Sequence, residues 1–94
     1  MKTKKKLKII NPDKFGLSGR TMIGADDKKN YYIIKNIKSR IIMETGKKIN
    51  EIANKIRSKT KGSVFLATTA PVCSKTKQYL EEKKTNIISD YIVS

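Results

Sequence analysis

Two kinds of apolar spacing follow one another in the middle of this 94-residue chain. Across residues 31–43, Tyr31, Ile33, Lys35, Ile37, Ser39, Ile41 and Met43 form one alternate set, and it is mostly apolar. Tyr32, Ile34, Asn36, Lys38, Arg40 and Ile42 form the other, which mixes apolar with basic. Period-two spacing rich in β-branched Ile predicts a strand with one better-buried face. Such a run exceeds the usual strand length, so a break near residues 36–39 is expected. From Ile49 the period changes: Ile49, Ile52, Ala53 and Ile56 recur as one stripe of a helix, with Thr45 as N-cap and Gly62 just past the end. A strand feeding straight into a helix in so short a chain demands a layered α/β arrangement.

The flanks extend that pattern. Asn11-Pro12-Asp13 is a turn signal after a first strand at residues 7–10, and residues 15–24 read as a loop or bent strand. Asp26-Asp27-Lys28-Lys29-Asn30 separates two apolar stretches as a hairpin turn does. Residues 63–69 are a short, nearly continuous apolar run, the mark of a central strand buried on both faces. Ser74 can cap a second helix over residues 75–84, with Cys73, Thr76 or Lys77, and Leu80 facing inward. Ile87, Ile88, Tyr91, Ile92 and Val93 read as one final strand. The expected molecule is a small α/β (or α+β) domain over residues 9–94. Two helices pack on a mixed sheet of four to five strands, and residues 1–8 form a basic, mobile arm.

Charge is unevenly placed. The net charge is +14; residues 1–61 hold 18 bases and 5 acids, residues 62–94 only 4 and 3. Segregated positive charge suits a polyanionic partner, most often nucleic acid. Lys outnumbers Arg by 19 to 3, which favours contact with a phosphate backbone over reading of base edges. No apolar run approaches the roughly 18 residues of a membrane span, and the single Cys excludes a disulfide framework. A cytoplasmic protein, or one of an organelle matrix or stroma, fits best.

Few residues could carry chemistry. The chain has no His and one Cys, which removes a conventional zinc site and a Cys–His nucleophile pair. The order of hairpin, helix, strand and helix resembles the core of nucleases that place an Asp on one strand and Glu-x-Lys on the next to hold a divalent metal. Here Ile33-Ile34-Lys35 stands where Glu-x-Lys is expected, and Asp26 and Asp27 read as turn residues, with Glu44 at the end of the long strand. Residues 67–77 locally resemble the redox turn of glutaredoxins, but Ala70 replaces the attacking Cys and only 21 residues follow Cys73. The same stretch resembles the loop after a central strand in the kink-turn RNA-binding ribosomal family, a resemblance that points toward RNA. A strand-to-helix loop can also hold an anion, here with Thr68, Thr69, Ser74 and Lys75.

The sequence therefore predicts a non-enzymatic nucleic-acid binder without cofactor or metal, for RNA more than DNA. The expected contacts are Lys4, Lys5, Lys6, Lys8, Arg20, Lys28, Lys29, Lys35, Lys38, Arg40, Lys47 and Lys48, with Tyr31 stacking on bases. The alternative is an assembly subunit that docks on an acidic protein surface.

Overall fold

The computed structural model describes residues 5–17, 21–35, 37–89 and 91–93. In chain order they form β1 (Lys5–Ile10), a 3-10 turn (Pro12–Phe15), β2 (Met22–Ala25), β3 (Tyr31–Lys35), α1 (Met43–Lys59), β4 (Val64–Thr68), α2 (Ser74–Glu82), β5 (Asn86–Ile88) and β6 (Tyr91–Val93). The fold is mixed α/β, with two helices on a six-stranded sheet of order β5-β4-β3-β2-β1-β6. β1, β2 and β3 form an antiparallel meander, while β3, β4 and β5 run parallel. Parallel neighbours need crossovers, and α1 and α2 supply them. Two crossovers of the same hand, stepping the same way across the sheet, place both helices on one face.

That face holds the larger core. Ile49, Ala53 and Ile56 of α1 and Leu80 of α2 pack on Ile23, Ile33, Val64 and Leu66. The helical stripe read from the sequence is the buried one, with Ile52 at its margin. On α2 the inward residues are Thr76 and Leu80, while Lys77 is exposed.

The other face carries no helix, yet Leu7 and Tyr32 are fully buried there, in a cluster with Ile34 and Ala67 backed by Phe65, Ile88 and Tyr91. Chain length explains it. β5 and β6 lie at opposite edges of the sheet, but Ile88 and Tyr91 are three peptide steps apart, at most about 11 Å. Six strands laid flat would put the edges about 24 Å apart. The sheet must therefore roll until its edges approach, and the helix-free face becomes the inside of the roll.

Several boundaries differ from expectation. The sheet has six strands because the terminal apolar stretch divides between both edges. The long strand stops at Lys35, which pairs with Thr68, the last residue of β4. The Thr68 hydroxyl donates to the Lys35 carbonyl (2.8 Å) and closes the ladder there. Residues 37–40 bend, and Ile41 makes a single parallel bridge to Val72. α1 begins at Met43, with Ile42 at the cap position, so Thr45 lies within its first turn. Gly62 is not a helix cap: a Cβ there would sit 2.0 Å from the Lys29 carbonyl oxygen, so the glycine serves close packing of the α1–β4 connection against the hairpin. β1 takes in Lys5 to Lys8 of the stretch read as an arm, while residues 1–4 lie outside the described residues. Among the described residues, no helix is long and apolar enough to cross a membrane.

Candidate nucleic-acid interface

The connection from β3 to α1 builds the most basic edge that the structure defines. Ile41 donates its amide to Pro71 (2.8 Å) and accepts from the Cys73 amide (3.0 Å), so residues 37–42 run alongside the loop that enters α2. This carries Arg40 onto an open groove of about 520 Å³, lined with Pro71, Val72, Cys73, Ser74 and Lys75. Lys35 ends β3 on the same edge, and Lys38 lies in the bend that follows. Lys47 and Lys48 stand exposed one turn into α1. The carboxyl ends of two parallel strands and the amino ends of two helices thus share one side of the molecule, where helix dipoles add to the lysines' positive potential.

A second basic group lies at the opposite end of the sheet. Lys28 and Lys29 occupy the β2–β3 turn, Lys29 with a left-handed backbone (φ 64°), and Lys8 is paired with Ala25 beside it. The five residues of β3 separate this group from Lys35, a span of roughly 17 Å. The predicted contacts are therefore not one patch. Lys35, Lys38, Arg40, Lys47, Lys48, Ser74 and Lys75 gather at one end, and Lys8, Lys28 and Lys29 at the other. Lys6 is exposed on β1, where Lys5 contributes backbone to the strand. Lys4 and Arg20 lie outside the described residues.

The anion pocket expected after β4 keeps Ser74 and Lys75, with Thr69 exposed nearby, but not Thr68. That residue is buried, with its hydroxyl committed to the Lys35 carbonyl and the Ala70 amide (3.1 Å). Arg40 takes its place as a wall of the groove. Sequence reasoning grouped Arg40 with the long strand and missed this contact. The signal for it was Pro71, which cannot extend β4 and frees its carbonyl for Ile41.

The aromatic platform also changes. Tyr32 is fully buried, stacked on Phe65 (5.1 Å between centroids), with its hydroxyl donating to Asp26 (2.8 Å). Tyr31 is half-buried and meets Phe15 edge to face (5.4 Å). An open sheet face for stacking bases, as the sequence suggested, is not what the chain builds, because that face is the filled interior of the roll.

Asp26 shapes the hairpin. One carboxylate oxygen accepts the amides of Lys28 (2.9 Å) and Asn30 (3.0 Å), the other the Asn30 side-chain amide (3.1 Å) and the Tyr32 hydroxyl. Burial pushes this carboxyl up, but the bonds from Asn30, Tyr32 and Lys28 together outweigh it and hold the group down at about 2, against an ordinary 3.8. Its contribution to stability is complete above about pH 4 and is lost as pH falls toward 2. Asp26→Asn is expected to cost about 1–2 kcal/mol at pH 7 and to flatten the acid limb, measured by urea unfolding between pH 2 and 7.

The acids do not fit a divalent metal. Asp26 is committed to the turn, at the far end of β3 from Glu44, and the described residues contain no group of three or more His, Cys, Asp or Glu that could hold one.

No protein-family model matches the chain, and no curated protein does. Solved structures do share its fold. EndoMS in its apo form superposes with a TM-score of 0.62 at 13% identity, over 94% of this chain and 37% of that one. EndoMS in complex with dsDNA gives 0.65 at 14%, over the same shares. A repair endonuclease from Pyrococcus abyssi gives 0.58 at 9%, over 77% of this chain and 31% of that one. The chain thus spans about a third of the length of the proteins it resembles. These neighbours overturn the expectation of a non-enzyme. The architecture is one on which endonucleases are built, and the missing Glu-x-Lys at residues 33–35 was no ground for placing the chain outside that class.

Proposed function

We propose that this chain is a DNA-binding unit of the endonuclease fold, meeting the phosphate backbone of duplex DNA with the edge formed by the ends of β3 and β4 and the starts of α1 and α2. The observation that carries the reading is the convergence of Lys35, Lys38, Arg40 and Lys75 on that edge, next to two helix N-termini. Cationic side chains and helix-terminal amides are what a phosphodiester backbone attracts. The likeness to a structure solved with dsDNA supports duplex DNA over RNA as the ligand. Contacts made largely by lysine predict weak sequence preference and a binding constant that falls steeply with salt.

Titration of a random-sequence duplex between 50 and 200 mM salt tests this, with a single-stranded RNA of equal length alongside. Duplex binding with a log–log slope of about −3 to −5 is expected. A flat response, or no binding at low salt, favours docking on an acidic protein instead, and preferential binding of the RNA restores the RNA reading. The same mixtures supplied with Mg²⁺ and supercoiled plasmid score cleavage directly. Nicked or linear product assigns nuclease activity to this chain itself.

A further inference from the structure

We propose that Cys73 is a modification site, a thiolate in a cationic groove that exchanges with small anionic disulfides. Cys73 occupies the N-cap position of α2, its side chain closing no capping hydrogen bond, and it lines the groove together with Arg40 and Lys75. Beneath it lies Thr76, fully buried. The Thr76 methyl faces α1, since a Cβ on Gly46 would meet it at 2.6 Å, which turns the hydroxyl away from α1 and toward the first turn of α2. That hydroxyl has no hydrogen-bond partner, an unusual state for a buried polar group. It is aimed at the place where charge on the sulfur develops. The amides of Lys75 and then Thr76 hold the thiol below its ordinary range, against a small opposing effect of burial, with further help from Arg40 and the Thr76 hydroxyl.

The chemistry balances without a further reactant. The Cys73 thiolate attacks one sulfur of the disulfide, the Sγ–S bond forms, the reagent's S–S bond breaks, and its second half leaves as a thiolate. Cys73 is oxidised to a mixed disulfide and the departing half is reduced. Arg40 and Lys75 select anionic reagents by attraction, and the exchange is independent of any nucleic acid.

The test compares second-order rates for a dianionic aromatic disulfide, 5,5′-dithiobis(2-nitrobenzoate), and a neutral one, 2,2′-dithiodipyridine, with N-acetylcysteine as the free-thiol reference. The anionic-to-neutral rate ratio is expected to exceed that of the reference by about tenfold at low salt and to collapse toward it at high salt. Arg40→Gln and Lys75→Gln should each lower the ratio several-fold. Thr76→Val should raise the pH midpoint of the reaction with the neutral reagent, a readout that charge steering does not move. A wild-type ratio equal to that of the free thiol at every salt concentration overturns the proposal. This holds even where a variant fails to fold, because it is read on the unaltered protein.

Discussion

Replacing Lys38, Arg40 and Lys75 together with alanine is expected to weaken duplex-DNA binding by roughly two orders of magnitude at 0.1 M salt. The log–log salt slope should become shallower by up to about 2.7, since each phosphate contact contributes about 0.9. All three side chains sit on exposed positions of one edge, so the fold should survive their loss. The matched control replaces Lys8, Lys28 and Lys29, which carry the same charge at the other end of the sheet. If affinity depended only on net charge, the two triple variants would weaken binding equally. The geometry predicts a larger loss for the first, because only that edge adds two helix N-termini to its side chains. Fluorescence anisotropy at several salt concentrations, with circular dichroism as a check on folding, separates the two cases.

The largest expected effect on stability comes from Leu7→Ala, at about 3–4 kcal/mol. On a flat sheet, Leu7 would stand on an uncovered face and its truncation would cost little. Here it is fully buried with Tyr32, Ile34 and Ala67. A domain of this size should lose some 12–24 °C of melting temperature from such a change. The neighbouring Ile9 keeps 42% of its surface exposed on the same strand, so Ile9→Ala should cost far less. Equal losses at the two positions would refute the rolled geometry.

What the sequence shows about this fold depends on how local the determining interactions are. The helical stripe Ile49–Ile56 was readable because burial on one side of a helix is written in the spacing of four residues. The hairpin at Asp26 was readable because its carboxylate bonds only to residues within six positions of it. The end of β3 was not, because the spacing of apolar residues continues to Met43 while the ladder stops where β4 stops. The division of the last strand is a long-range matter too. Tyr91 pairs with Lys5, and nothing near residue 90 announces it. The site divides along the same line. Lys35, Lys38 and Arg40 were legible as basic residues, but their meeting with Lys75 depends on the Ile41–Val72 bridge, and the separation from Lys28 and Lys29 on the direction of β3. Enzyme class was misjudged from a missing tripeptide motif, whereas the architecture is specified by some ninety residues at once.

The pairing of β6 with β1 has a kinetic side. It joins residues 5 and 91, nearly the whole of the described chain apart, and the interior around Leu7 stays open until that contact is made. During synthesis the meander and both crossovers can form as they emerge, yet the sheet shuts only once Val93 is free to reach the first strand. Loop-closure entropy makes so distant an encounter slow. Until then the newborn polypeptide presents β1 as an unpaired edge above an open apolar trough, which makes this interval the one in which it is most exposed to aggregation.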